Sequence, residues 1–321
     1  MNYNWGIIGP GNIAHKFAEG LQAIPQARLY GVASSSKQRA ETFAATHNAT
    51  QVYDSYYDLV CDPAIDVVYI ATTNNSHYEL ASLCLQHKKP CLCEKPMTLT
   101  VEQCDSLIQL SKQNNTFLME ALWTRFLPSI STIEQCIQSG KIGGTQSNGI
   151  CVNFGFKASA DNERLFSPEL GGGAMFDIGI YPLFLILHLL GEPQKIEKKI
   201  VRTVQNIDID NIVRFYYESG AIADMEVSFT RNLSCIAIIG GSTGYIYMEQ
   251  MWHCPCAIHV HKSYDDDDHD YEDITPVYTG NGYNYEIEEV HRCLREKRIE
   301  SPRLPLAFSR NLVHYIHEIL K

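Results

Sequence analysis

The chain has 321 residues, enough for two domains of ordinary size. Hydrophobic residues make up 45% and charged residues 20%, a globular balance that excludes collagen-like, coiled-coil and disordered chains. With 26 Lys plus Arg against 37 Asp plus Glu, the net charge of −11 repels phosphate backbones and acidic membrane surfaces, so neither nucleic acid nor a membrane is an expected partner.

The first five residues contain no basic n-region and the apolar stretch after them stops at Gly9, unlike a secretory signal. The longest apolar run, 183–190, is interrupted by His188 and falls short of the roughly 20 residues that span a bilayer. A cytoplasmic, reducing setting is therefore expected, with the 11 cysteines as thiols. Cys91/Cys93 and Cys254/Cys256 are CxC pairs, whose side chains share one face of a strand. His253, Cys254, Cys256, His259 and His261 match no common zinc spacing, and no metal is expected.

In chain order, strands are predicted at 5–8, 29–33, 67–71, 90–93 and 116–119, with helices at 13–23, 37–47, 77–87 and 100–114. This alternation implies βαβ units and a parallel sheet with right-handed crossovers. From about residue 145 the rhythm changes to runs at 196–204, 211–217, 221–229, 236–239 and 245–249, joined by turns such as Glu218-Ser219-Gly220, the pattern of an antiparallel meander. Helical patterns at 176–190, 286–297 and 306–320 flank it. The expected fold is α/β: a Rossmann-type, doubly wound parallel sheet in residues 1–122, then an α+β domain in 123–321 with a large, open, mainly antiparallel sheet. Such a sheet needs its second face covered, and few helices are available, so a homodimer through it is expected. Asp265, Asp266, Asp267, Asp268, Asp270, Glu272 and Asp273, with no Lys or Arg among them, carry seven of the eleven net negative charges and read as a solvated loop.

Gly9-Pro10-Gly11-Asn12-Ile13-Ala14 follows the first strand directly and opens the first helix. Gly9 allows the tight turn, Gly11 lets the backbone approach a pyrophosphate at the helix N-terminus, and Ala14 permits close helix–sheet packing, so Gly9, Gly11, Asn12 and Ile13 are candidate dinucleotide contacts. Where an NAD enzyme carries an acid for the ribose hydroxyl, this chain has Ser34, Ser35, Ser36, Lys37 and Arg39, donors and positive charge suited to a 2′-phosphate. NADP is favoured over NAD. The alternative is a Ser-rich helix cap with solvated basic residues.

Glu94-Lys95-Pro96 closes the strand at 90–93, at the sheet edge where open α/β folds bind ligands. The glycine motif, Thr72-Thr73-Asn74-Asn75-Ser76-His77 and Glu94-Lys95-Pro96, in this order and spacing, resemble the glucose–fructose oxidoreductase / inositol dehydrogenase / MocA-type oxidoreductase family. Residues 120–128, Gly171-Gly172-Gly173-Ala174-Met175-Phe176-Asp177-Ile178-Gly179-Ile180-Tyr181-Pro182, and the segment 286–294 are similar to the branch of dimeric dihydrodiol dehydrogenases and NADP-dependent D-xylose 1-dehydrogenases. One departure is Thr73-Asn74, where the family commonly carries Pro-Asn. The resemblance implies that Thr72, Thr73, Asn74, His77, Glu94 and Lys95 line the cofactor, and that Lys95 and Tyr181 lie at the reacting carbon.

Asp177 and Tyr181, four apart, share one face of a helix, where the carboxylate can orient the phenol, and the triple glycine before that helix is expected to let its N-terminus approach a ligand. Oxidising an alcohol requires a hydride acceptor and a base for the hydroxyl proton. Tyr181 is read as this acid/base, Lys95 as its electrostatic partner and hydroxyl ligand, and Asp177 as the orienting residue. Trp123 and Arg125, just past the last Rossmann strand, are expected near the nicotinamide edge. Trp123 and Trp252 are read as walls of the substrate pocket, with Phe154 and Tyr278 as further aromatic candidates and Arg202 as a polar one. The expected activity is NADP-dependent oxidoreduction of a polyol-like alcohol or its carbonyl, a trans-dihydrodiol or an aldose such as D-xylose. The competing readings are a catalytically silent NADP-binding sensor and an imine or biliverdin-type reductase.

Overall fold

The computed structural model describes residues 2–144, 149–265 and 271–321, arranged in two compact units. The first comprises Met1–Phe126 with Thr279–His314, the second Leu127–Tyr278 with Tyr315–Lys321. This differs from the expected division at 122/123, because the segment 279–314 returns to the first unit. There Trp5 donates its indole N–H to Nε2 of His291 at 3.0 Å, and burial pushes the His291 imidazole down to about 4, which keeps that nitrogen an acceptor. The backbone N–H of Leu118 donates to the carbonyl of Ile299, and Arg310 pairs with Asp105.

The first unit is built on β1 (Tyr3–Ile8), β2 (Ala27–Ala33), β3 (Gln51–Tyr53), β4 (Val67–Ile70), β5 (Cys91–Glu94) and β6 (Leu118–Ala121), all parallel in the order β3-β2-β1-β4-β5-β6. That is the doubly wound Rossmann order, with the crevice at the carboxyl ends where the order reverses beside β1. Helices α1 (Asn12–Gln22), α2 (Lys37–His47), α3 (Tyr56–Cys61), α4 (His77–Gln86) and α5 (Val101–Asn114) alternate with the strands. Ile8, Val68, Ile70, Leu80, Leu107 and Leu118 form one core. Elsewhere in the unit Phe17 stacks on Tyr69 at 3.6 Å and meets Trp5 edge-on. Strands sandwiched this way read as unbroken apolar runs, which is why β1 and β4 were visible in sequence. β3 and α3 were not, being three and six residues long.

The second unit carries an eight-stranded sheet in the order β14-β13-β12-β11-β7-β10-β9-β8. The strands are β7 (Gly149–Gly155), β8 (Lys195–Arg202), β9 (Asp208–Tyr216), β10 (Ile222–Ser228), β11 (Ala237–Gly240), β12 (Tyr245–Met248), β13 (Ile258–His261) and β14 (Tyr271–Ile274). Pairing is antiparallel throughout except β7 with β10. Along β9 and β10, Val213, Phe215, Ala223, Met225 and Val227 face inward, while Ile212 and Ile222 stay exposed on the other face. The helices of this unit are α6 (Pro128–Gln138), α7 (Glu163–Phe166) and α8 (Ile180–Leu190). The stretch Pro168–Leu190, helical on both sides of the glycine run 171–173, is long and apolar enough to cross a membrane by length and composition, a match the sequence reading missed by counting only 183–190, yet most of it is buried within the protein.

Two late helices complete the chain, α9 (Asn284–Arg295) and α10 (Leu306–Leu320). Arg202, a sequence candidate for the pocket, instead donates to the carbonyls of Asn206 and Leu320, capping the carboxyl end of α10. Of the acidic stretch, residues 266–270 lie outside the described residues; Glu272 pairs with Lys141 at 2.6 Å, and Asp273 with His259 at 2.5 Å.

Candidate active site

The glycine motif builds a cradle. Gly9 sits at φ +85°, and a Cβ there would lie 2.7 Å from Thr72 Cγ2 and 2.9 Å from the Ala71 carbonyl, so the turn admits only glycine. At Gly11 a Cβ would meet nothing within 4 Å, leaving the approach to the backbone open. Gly11 is also the N-cap of α1, without a side-chain cap and without an acid in the first turn. Uncapped N–H groups and positive helix dipole beside an open glycine fit a pyrophosphate, with Asn12 and Ile13 as the first helical residues.

Beyond β2 the hydroxyls and charges divide. Ser36 is the N-cap of α2, accepting from the backbone N–H of Arg39, and Ser34 Oγ accepts from the N–H of Ser36. Lys37 is held by Asp54 at 3.0 Å, and Arg39 donates to Ser35 Oγ at 2.9 Å on the surface. The capping reading thus holds for Ser36, while Arg39 with Ser35 remains a donor pair suited to phosphate.

His77 is almost fully buried, with Nδ1 2.8 Å from the Pro96 carbonyl and Nε2 3.2 Å from that of Thr72. Burial outweighs the two carbonyls and pushes its pKa down, so the neutral ring donates across the shorter contact. His77 therefore ties the 72–77 turn to Glu94-Lys95-Pro96, whose Lys95–Pro96 bond is cis; it is spent on main chain, not aimed at a ligand. Beside it, Ser76 Oγ donates to Thr72 Oγ1 and Thr73 Oγ1 to the Asn75 side chain.

Glu94, at the end of β5, is buried. Its Oε1 accepts from Tyr69 at 2.5 Å and its Oε2 from the Lys95 backbone N–H at 3.1 Å. A second acid, Glu286 on α9, is completely buried, and its carboxyl stands well above the usual range because of that burial and the nearby Glu94 charge. Glu120 is buried too; desolvation pushes it up to about 7 against the Met97 N–H that donates to it at 2.8 Å. Trp123 stacks flat on Tyr283 at 4.5 Å, and Arg125 donates to the Arg303 carbonyl, so both are locked into the 123–126 turn. Sequence reasoning reached Glu94 and Lys95. It missed Tyr69 and Glu286, whose roles depend on which elements pack behind them.

The second unit carries Asp177 and Tyr181 on a single helical stretch, but the turn holding Asp177 is π-helical, Met175–Gly179, before α8 begins. Its amino end is closed by Asp208, whose Oδ2 accepts from the Met175 N–H at 2.8 Å. A Cβ at Gly173, φ +123°, would sit 2.4 Å from that carboxylate. The glycine run therefore makes room for a buried acidic cap, not for a ligand as expected from sequence.

Around Tyr181, the Phe154 ring lies at 6.0 Å and the His253 ring at 5.1 Å, with His253 stacked on Phe154 at 4.1 Å. Trp252 has no exposed surface and donates its indole N–H to the Asn153 carbonyl, so it supports His253 from behind instead of forming a pocket wall. Tyr278 is likewise turned to the main chain, its hydroxyl bonded to both N–H and C=O of Cys256. Asp177 pairs with Arg164 of α7 through both oxygens, Nη1 to Oδ1 at 2.9 Å and Nη2 to Oδ2 at 3.3 Å. Arg164 lies in a stretch without periodicity, and His253 entered the sequence reading only as a rejected metal ligand.

A parallel sheet with a phosphate cradle at its switch point, joined in one chain to a unit with a mainly antiparallel sheet and a helical stretch bearing the buried Asp177 and Tyr181, defines a dinucleotide-dependent oxidoreductase of two-unit Rossmann type. Residues 3–122 match the profile described as an oxidoreductase family with NAD-binding Rossmann fold, and residues 130–247 the GFO/IDH/MocA C-terminal domain. The chain belongs to this family of NAD(P)-dependent oxidoreductases, which bears out the resemblance read from its motifs. It is 30% identical over 335 residues to the trans-1,2-dihydrobenzene-1,2-diol dehydrogenase of Mus musculus, covering 100% of this chain and 97% of that one. The Danio rerio enzyme of the same name is 31% identical over 331 residues, covering 99% and 96%. Among solved structures, levoglucosan dehydrogenase in complex with NADH and L-sorbose superposes with a TM-score of 0.88 at 20% identity, covering 100% of this chain and 96% of that one. A 3-ketoreductase from Actinomadura kijaniata in complex with TDP-benzene and NADP gives 0.85 at 19%, covering 99% and 97%.

Proposed function

We propose that the protein is an NADP-dependent dehydrogenase acting on a polyol-like alcohol, with a trans-dihydrodiol as first substrate candidate and an aldose such as D-xylose as second. The observation that carries this is the Tyr181 ring set against those of Phe154 and His253, on the same helical stretch as the Asp177 that Arg164 holds, an acid/base group beside aromatic rings. Likeness to dihydrodiol dehydrogenases over the whole chain supports the choice of substrate. Gly9, Gly11, Asn12 and Ile13 hold the pyrophosphate of the dinucleotide, whose nicotinamide supplies the hydride-accepting carbon. Tyr181 takes the hydroxyl proton in oxidation and returns it in reduction, Lys95 supplies positive charge to that chemistry, and Asp177 orients the phenol.

The test is absorbance of reduced nicotinamide with NADP+ and trans-1,2-dihydrobenzene-1,2-diol or D-xylose. Turnover of either supports the reading. Tight NADPH binding without turnover favours a silent sensor, and turnover of imines alone a reductase of the competing type.

The preference for NADP rests on Arg39 with Ser35 and on the lack of an acid after β2. Arg39→Gln is expected to raise KM for NADP+ by roughly tenfold or more, the loss of one charge-assisted hydrogen bond, and to leave KM for NAD+ within about twofold. Equal effects on both cofactors, measured side by side, refute the preference.

The open sheet face with Val201, Ile212 and Ile222 exposed supports a homodimer. Light scattering of the parent is expected to give twice the chain mass, and Ile212→Asp with Ile222→Asp the single chain. A monomeric parent would count against it.

A further inference from the structure

We propose that Arg164 is a positioning residue for the reaction, fixing the Asp177 carboxylate through two parallel hydrogen bonds and so holding a guanidinium charge about one helical turn from Tyr181. The assignment rests on Tyr181 being the acid/base. Nothing in the motifs points to Arg164, thirteen residues before Asp177 and on the four-residue α7. The structure brings it there by closing the glycine run back onto α7. The N–H of Gly173 donates to the Leu165 carbonyl at 3.0 Å and that of Gly172 to Ser167 at 2.9 Å. At Gly172 a Cβ would lie 2.6 Å from the Leu165 carbonyl, so any side chain there would push α7, and Arg164 with it, off the helix.

The consequence is a defined geometry at the π-helical turn. An isolated aspartate four residues before a tyrosine has several rotamers open to it; a forked guanidinium that takes both oxygens leaves one. Asp177 is only 12% exposed at its side chain against 47% for Arg164, so the fork reaches in from the solvent side and covers the carboxylate. Asp177 and Tyr181 stand four apart on one helical stretch, so the guanidinium that takes Asp177 lies about one turn from the residue bearing the phenol; burial works against the Arg164 charge, but Asp177 and then Tyr181 more than offset it. The charged and titratable groups facing Tyr181 in this unit thus include Arg164 on α7, Asp177 on its own helix and His253 after β12. A cation at this place favours the phenolate over the phenol, the form that accepts the substrate proton.

Tyrosine labelled with 13C at Cζ reads the ionisation of this one phenol by NMR without substrate, its resonance identified by loss in Tyr181→Phe. In the parent, Tyr181 is expected to ionise at a pH lower by roughly one unit than in Arg164→Gln. Arg164→Lys, which keeps the charge but not the fork, returns the titration towards the parent while kcat stays several-fold low and KM changes little. Arg164→Met, which keeps the aliphatic stem, serves as a second charge-free variant should the glutamine form fail to fold. A merely structural arginine would lower Tm in these variants and leave the Tyr181 titration where it is, and that result overturns the proposal. A shift accompanied by full activity of Tyr181→Phe would sink the acid/base reading and Arg164's part in the reaction with it. Absence of the shift with an inactive Tyr181→Phe would sink the Arg164 assignment alone.

Discussion

Tyr181→Phe is expected to lower kcat by about 10²- to 10⁴-fold, the range that a positioned acid/base contributes. The change removes one oxygen and keeps the ring, so contacts with Phe154 at 6.0 Å and His253 at 5.1 Å persist and the helix stays packed. KM for the dinucleotide should move by no more than about twofold, because the cradle at Gly9 and Gly11 belongs to the other unit. The loss should appear equally in kcat and kcat/KM, the mark of an interaction made in the transition state. Steady-state rates by reduced-nicotinamide absorbance decide it. A variant that keeps kcat within a few-fold of the parent removes Tyr181 from the chemistry.

The second large effect concerns stability. Glu286 is buried without exposed surface, and neither of its oxygens has a hydrogen-bond partner within the described structure. Its folded-state pKa lies well above the unfolded one, for burial first and the Glu94 charge second. Below about pH 4.5 both folded and unfolded chains hold the proton and the group costs nothing extra. Above that, the unfolded chain releases the proton while the folded chain keeps it. Stability then declines by about 1.4 kcal/mol per pH unit until the folded value is passed. Glu286→Gln keeps the shape of the neutral acid and cannot titrate. At pH 8 it is expected to melt several degrees above the parent, with the gap closing towards pH 5. Glu286→Met tests the same slope without a buried amide. Thermal unfolding at both pH values checks it, and a gap independent of pH would show that Glu286 ionises freely in the folded protein.

The two cases show where sequence reasoning reached and where it stopped. The strand–glycine–helix cradle is local, since the turn at Gly9 needs glycine whatever surrounds it and the apolar run before it marks a strand covered on both faces. Asp177 and Tyr181 lie within one helix and came from spacing and resemblance together. Arg164 and the burial of Glu286 depend on contacts made across many residues; the neighbours of Arg164 in sequence carry no signal of it, and the resemblance of 286–294 does not say which of its residues faces inward. The aromatic candidates divide on the same ground. Phe154 faces Tyr181 because β7 alternates inward at Ile150, Val152 and Phe154, whereas Trp252 after β12 and Tyr278 after β14 are turned to main chain by two loops whose paths no periodicity encodes.

By itself the sequence determined the class of fold, the Rossmann unit with its glycine turn, and the family, and it singled out Gly9, Gly11, Asp177, Lys95 and Tyr181 as candidates, the last two through resemblance. Only the tertiary structure decided that the segment 279–314 returns to the first unit, that His77 clamps two loops, that Asp208 closes the helix the glycines were expected to leave open, and that Arg164 holds Asp177. The reason is physical. Turn geometry and periodicity act over a few residues and leave their mark in sequence, while burial and ion pairing are set by which surfaces meet, and that is decided by the folded chain as a whole.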